Sequence, residues 1–180
     1  DSLGAPSYSI DSFNQELMLR IMSEEERLVQ DGDITWYKHA NVKQNMGAFN
    51  FYITTDFATS ARESADFSTI NVWAYNNNGD WLWVDGFCKR ALMDETMDSL
   101  FELSQKYRPQ EVGIEVTGQQ GGFISWIQNE QMNRNIYFTL ATGRGKTSPG
   151  IRPNKDKMSR FQQIALPLFK AGKIWFPEEL

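Results

Sequence analysis

Two acidic residues, Asp56 and Glu115, follow apolar strand-like runs and are the side chains best placed to do chemistry in this sequence. Aspartate is depleted in strands and is costly to bury unless it is paired, so Asp56 either caps a turn or holds a metal ion. If the two strands are neighbours, both carboxylates project from one end of the sheet and repel each other unless a cation lies between them. A divalent cation resolves that conflict. Two such ions can also clamp the attacking water and the leaving oxygen of a phosphodiester.

The scarcity of cysteine and histidine narrows the chemistry further. Cys88 is the single cysteine, which excludes an internal disulfide and a zinc site built on cysteine pairs. His39 is the single histidine, and it lies in the polar stretch "WYKHANVKQN", which is typical of a surface loop. A metal site would therefore be built from carboxylates, whose oxygen atoms suit Mg²⁺ or Mn²⁺.

The charge distribution is uneven along the chain. A formal net charge of -5 argues against a protein whose whole surface binds nucleic acid. One stretch reverses this charge, and its basic residues are Arg144, Lys146, Arg152, Lys155, Lys157 and Arg160. Such a track could hold DNA phosphates beside a metal site, or it could be a solvated loop.

Length and composition predict one ordinary domain. The chain has 180 residues and is 41% hydrophobic, which is enough for a sizeable core. The N-terminal stretch "DSLGAPSYSIDSF" is neither basic nor apolar, so we expect no signal peptide and no secretion. It also lacks an initiator Met, which indicates a fragment of a longer protein.

The pattern of the sequence predicts a mixed α/β fold. Three strand-like runs come first, and the turn signal "NNNGD" joins the second and third as an antiparallel hairpin. Strands and helices then alternate, which implies a mixed sheet with helices on its faces. The predicted strands are 51–57, 67–75, 81–87, 111–116 and 135–141, with an extended tail at 173–180; the predicted helices are 12–29, 94–107, 123–133 and 156–171.

Three stretches of the sequence, taken in chain order, resemble the motifs of a known protein family. "ITTDFATSARESADFSTINVWAY" has one Asp at the end of a strand and a second, Asp66, before the next strand. "EVGIEVTGQQGGFISWI" has an acid before a glycine-containing turn into a helix, and "NKDKMSRFQQIALPLFKAGKIWFPE" is a Lys/Arg-bearing helix followed by a Gly and a short strand. From about Phe51 to Glu178, the sequence resembles the nuclease domain of the large terminase subunit of tailed bacteriophages.

The resemblance implies a ribonuclease-H-like fold, in which a mixed central sheet of three antiparallel strands and then parallel strands is flanked by helices. It implies an Mg²⁺- or Mn²⁺-dependent endonuclease, with two ions, that cuts concatemeric viral DNA during genome packaging. Asp56 and Glu115 match its catalytic metal ligands, Asp66 matches a less central acid, and the basic track would contact DNA. The family's third catalytic Asp has no match before Leu180, so we expect a domain truncated at its C-terminus.

The resemblance also implies a domain organisation and partners. Residues 1–50 would be an N-terminal helix and a connector to a missing ATPase motor, and residues 51–180 would be the nuclease domain. The partners would be double-stranded DNA, the motor, the portal and the small terminase subunit, in the cytoplasm of an infected bacterium, and the isolated domain would be monomeric.

Two alternatives remain open at this point. Another ribonuclease-H-like nuclease, such as a junction resolvase or a transposase core, would share the fold, and a resolvase would form its own dimer. A non-catalytic docking module that binds a portal or a motor would need no third acid.

Overall fold

The computed structural model describes residues 28–58, 67–116 and 121–179. In these ranges the chain forms one sheet that lies between two layers of helix. The strands are β1 (Thr35–Tyr37), β2 (Asn50–Asp56), β3 (Ser68–Tyr75), β4 (Trp81–Lys89), β5 (Glu111–Ile114) and β6 (Ile174–Pro177). The helices are α1 (His39–Gln44), α2 (Met93–Tyr107), α3 (Gly121–Arg134), α4 (Lys157–Arg160) and α5 (Leu166–Lys170), with a π-helical turn (Phe161–Ala165) between α4 and α5.

The order of the strands across the described sheet is β1-β6-β4-β3-β2-β5. Strands β2, β3 and β4 pair in antiparallel fashion, whereas β5 joins β2, β6 joins β4 and β1 joins β6 in parallel. The predicted mixed sheet of three antiparallel strands followed by parallel strands is confirmed. The predicted hairpin is also confirmed, and its turn is held by Asn76, whose side-chain oxygen accepts hydrogen bonds from the backbone N–H groups of Asn78 and Asp80.

One face of the sheet, which we call the core face, is packed against α2 and α3. Strand residues alternate between faces, so every second residue of β2, β3 and β5 is buried there. The helices contribute apolar side chains at helical spacing, including Leu100 and Phe101 of α2 and Ile127 of α3. Hydrophobic burial at this face fixes which residues of the strands point the other way.

The opposite face, which we call the groove face, is covered by the segment α4–π–α5. The sequence predicts one helix over 156–171, and the structure has a helical segment there with a widened turn in its middle. Pro167 supplies a physical reason, because it lacks an N–H and its ring clashes with the carbonyl four residues earlier, that of Gln163 within the π-helical turn.

Two predicted elements differ from the structure. The stretch 135–141 is not a strand; it contacts β5 through one bridge at Leu140 and through hydrogen bonds of Thr139 and Ala141 with Val112. The polar stretch before Phe51 contains β1 and α1, because β1 adds to the sheet edge through β6. The helix predicted over 12–29 lies outside the described residues except for its last two.

Candidate functional site

Asp56 and Glu115 lie side by side at the carboxyl ends of two neighbouring strands, β2 and β5. The last pair in the parallel register of β2 and β5 is Thr55 with Ile114. Asp56, the last residue of β2, and Glu115, the residue after β5, come directly after this pair. Thr55 and Ile114 are buried on the core face, so the acids project from the groove face. The condition stated for a shared site, that the two strands are neighbours, is met.

Each acid is paired with a basic residue of α4. Lys157 donates to Asp56 Oδ2 through its ammonium group. Arg160 donates to Glu115 with both terminal nitrogens, Nη1 to Oε2 at 3.2 Å and Nη2 to Oε1 at 3.3 Å. The cations are three residues apart, which places them on the same side of a helix. The site is therefore a four-charge cluster in which two carboxylates face two cations.

Asp156 fixes the start of the helix that carries these cations. Its side chain accepts hydrogen bonds from the Ser159 hydroxyl at 2.6 Å and from the Ser159 backbone N–H at 2.9 Å. These two bonds hold the pKa of Asp156 below its usual value. An N-cap of this kind defines where the first turn begins, and so it sets the direction in which Lys157 and Arg160 project.

The other predicted DNA-binding residues do not contact the acids. Arg144 and Lys146 lie in an exposed turn around Gly145, whose φ is 70°. Arg152 is exposed, and Lys155 donates to the side chain of Gln163 at 2.6 Å. The basic track thus has two parts, an exposed loop and a helix start that contacts the carboxylates.

The remaining predicted ligand, Asp66, lies outside the described residues. Within the described ranges, no group of three or more Asp, Glu, His or Cys residues is placed to hold a metal. Asp56 and Glu115 nevertheless supply the oxygen donors that suit a hard divalent cation, and they project from rigid neighbouring strands. These two carboxylates fit part of the oxygen shell that a divalent cation of this kind takes.

A groove of about 890 Å³ runs from Asp56 along the groove face. Its floor is formed by strand residues such as Thr54, Asn71 and Trp73, and its roof by α4–π–α5. The roof is attached at its far end, where the ring of Phe169 stacks on that of Phe176 with centroids 6.4 Å apart. Aromatic side chains line much of the space: Trp73, Trp81, Trp83, Phe161, Phe169 and Phe176.

Sequence reasoning missed the groove and the role of two cations. The aromatic residues at alternate positions of the hairpin gave the only signal for the groove, and the same pattern is typical of cross-strand packing. The three-residue spacing of Lys157 and Arg160 was visible, but their partners are far away in the chain. His39 lies apart from this site, with Nε2 at 3.0 Å from the carbonyl oxygen of Val84.

Comparison with solved structures places the fold. The nuclease domain of the human cytomegalovirus terminase, soaked with Mn and inhibitor-bound, matches with a TM-score of 0.52 and 16% identity, over 85% of this chain and 76% of that one. The large terminase nuclease of the thermophilic phage G20c with bound zinc matches with a TM-score of 0.46 and 17% identity, over 73% of this chain and 65% of that one. No protein-family model and no curated protein matches the sequence. The chain therefore shares its fold, a mixed sheet flanked by helices, with the cytomegalovirus domain.

Proposed function

We propose that the chain is the endonuclease domain of a viral genome-packaging terminase, which cuts concatemeric double-stranded DNA with the help of divalent metal ions. The observation that carries the proposal is the position of Asp56 and Glu115 at the carboxyl ends of the adjacent parallel strands β2 and β5, on one face of the sheet. The fold supports the same function, since the cytomegalovirus domain that shares it is a terminase nuclease soaked with Mn.

In this proposal Asp56 and Glu115 hold Mg²⁺ or Mn²⁺, as two ions, and Asp66 is a further ligand. A metal held there would supply a water of lowered pKa as the nucleophile and would stabilise the charge that develops on the phosphate. The strands hold the two carboxylates in fixed positions, so little reorganisation is needed when charge develops. No side-chain general base is required, which agrees with a sequence whose single histidine is bonded elsewhere.

The basic track binds the DNA backbone in this proposal. Arg144, Lys146, Arg152 and Lys155 are exposed and can reach phosphates without breaking an ion pair of the acids, whereas Lys157 and Arg160 lie beside the proposed metals. Removal of one phosphate contact lowers the slope of log affinity against log salt concentration by about one unit. Arg152→Gln should therefore reduce this slope for a short duplex, and Lys43→Gln on α1 should not.

Plasmid cleavage with Mn²⁺ or Mg²⁺ tests the proposal. We expect Asp56→Asn and Glu115→Gln each to lower cleavage by about 100-fold or more, because each removes charge stabilisation from the reacting phosphate. Glu111→Gln is the matched control, since it removes a carboxylate from the same face of β5 at the opposite end of the strand. Equal activity of all four proteins would contradict the proposal.

Calorimetric titration with Mn²⁺ gives a second readout that does not depend on cleavage. The unsubstituted chain should give a binding isotherm that Asp56→Asn weakens. Absence of heat at millimolar Mn²⁺ would overturn the metal site, whatever further segments the active protein needs.

In this proposal the partners of the chain are the motor, the portal and the small terminase subunit, in an infected bacterial cell.

A second candidate is a docking module without catalysis. The two ion pairs favour it, because both carboxylates already have cationic partners and act as structural groups in that case. This candidate predicts no Mn²⁺ binding and no effect of Asp56→Asn on function. The same titration therefore distinguishes the two candidates.

A further inference from the structure

The two ion pairs at the site differ in their exposure. The side chains of Lys157 and Asp56 are 67% and 49% exposed, whereas those of Arg160 and Glu115 are 29% and 19% exposed. Water screens the first pair far more than the second, so the first pair is the easier one to separate.

The two pairs also differ in geometry. Lys157 is the first residue of α4 and meets one oxygen of Asp56 with a flexible four-carbon side chain. Arg160 meets both oxygens of Glu115 with its planar guanidinium group, and its Nε is buried. A two-point contact between planar groups fixes orientation, and a one-point contact of an ammonium group does not.

A divalent cation on Asp56 would compete with Lys157. The ammonium group occupies Oδ2, which is one of the two oxygens that Asp56 can offer a metal. Two cations on one carboxylate repel each other, so the more weakly held one leaves. Arg160 engages both oxygens of Glu115, so a metal there would use their remaining lone pairs. The less exposed two-point contact of Arg160 is held more firmly than the exposed one-point contact of Lys157.

We propose that Lys157 is an exchangeable cation, which neutralises Asp56 until a divalent metal takes its place and then contacts a DNA phosphate, whereas Arg160 stays on Glu115 and positions it. This inference rests on the proposed metal site. It means that metal and DNA bind cooperatively, because the metal releases the cation that DNA needs.

The test is calorimetric titration of Mn²⁺ into the unsubstituted chain, Lys157→Gln and Lys155→Gln. Lys155→Gln is the matched control: it removes the same charge two residues away, but Lys155 contacts Gln163 and no carboxylate. We expect Lys157→Gln to bind Mn²⁺ about two- to fivefold more tightly, which corresponds to the loss of one exposed ion pair. The control should change by less than about 1.5-fold. Lys157→Arg keeps the charge and should not gain affinity.

A second measurement follows the released cation. The affinity for a short fluorescent duplex is measured with and without Ca²⁺, which binds carboxylate oxygens. The affinity with Ca²⁺ divided by the affinity without it should be larger for the unsubstituted chain than for Lys157→Gln. Lys155→Gln should bind DNA more weakly under both conditions and keep the ratio of the unsubstituted chain.

Each outcome decides the inference. Equal Mn²⁺ affinity in all proteins, or the same gain in both glutamine variants, would overturn it and leave the proposed nuclease intact. An unchanged Ca²⁺ ratio in Lys157→Gln would overturn the contact with phosphate. No Mn²⁺ binding by any of the proteins would overturn the inference and the proposed function together.

Discussion

The core face and the groove face of the sheet are covered to different degrees. On the core face, Ile53, Ile70 and Val112 are at most 1% exposed beneath α2 and α3. On the groove face, Thr54 is exposed and Asn71 is half-buried, and α4–π–α5 leaves a groove of about 890 Å³ above them. The same strands therefore stabilise the fold with one set of side chains and line an open groove beside Asp56 with the other.

The largest effect should come from a pair of neighbouring residues on opposite faces. Ile53→Ala deletes a fully buried side chain and should lower the free energy of unfolding by about 2–5 kcal/mol. Thr54→Ala, one residue along the same strand, should change it by about 0.5 kcal/mol, because Thr54 is exposed. Urea denaturation measures both, and similar losses would show that the faces do not differ.

Substitution of Gly86 tests how tightly the floor of the groove is packed. A Cβ at Gly86 would lie 2.8 Å from Cζ2 of Trp83 and 2.9 Å from the carbonyl oxygen of Ile70. Gly86→Ala should therefore displace the indole, break its hydrogen bond to Asn71 and cost about 1–3 kcal/mol.

Tryptophan fluorescence and urea denaturation report this change. The control is Gly113→Ala, because a Cβ there would meet only the carbonyl oxygen of Ile53, at 3.7 Å. An unshifted spectrum and unchanged stability in Gly86→Ala would contradict a rigid floor.

The pH dependence of stability should report on the charge of Asp85, which lies at the margin of the core face. Burial alone would raise the pKa of Asp85, but hydrogen bonds from Tyr107, Lys106 and the Gly86 N–H outweigh it and keep the pKa below its usual value. The stability from this lowered pKa is present at neutral pH and is lost as the pH falls through the pKa of the folded state.

Tyr107→Phe removes the hydroxyl that donates to Asp85 at 2.7 Å. It should cost about 1.5 kcal/mol at pH 7, because it removes a hydrogen bond to a charged group. The difference from the unsubstituted chain should shrink as the pH falls below about 4. Asp85 then becomes protonated in the unfolded chain first and in the folded chain at lower pH, because its folded pKa is lowered. Urea denaturation at several pH values checks this, and a difference independent of pH would contradict the role of the charge.

The smallest effects concern the ion pairs of the groove face. Arg160→Gln leaves the half-buried Glu115 without its partner and should cost about 1 kcal/mol, whereas Lys157→Gln should cost less than about 0.5 kcal/mol. Thermal unfolding of the two variants compares them directly. The reverse order would contradict the view that Arg160 is the fixed cation and Lys157 the exchangeable one.

Local patterns predicted much of the fold. Alternation along β2 and β3 encodes which side chains face the core, and the turn residues at Asn76–Asp80 encode the hairpin. The stretch 135–141 misled the same reasoning, because its apolar residues predict a strand whether or not a partner lies along its whole length. Only one bridge at Leu140 forms, since the edge of β5 is also covered by Ile151.

The sequence by itself determined that Asp56 and Glu115 end apolar strands and that a basic helix start follows later in the chain. Only the tertiary structure decided that Lys157 meets Asp56 across 101 residues and that Arg160 meets Glu115 across 45. It also decided that β6 enters the sheet between β1 and β4, which anchors the roof of the groove. The physical reason is that periodicity encodes which face a residue occupies, whereas contacts between distant segments depend on how the whole chain packs.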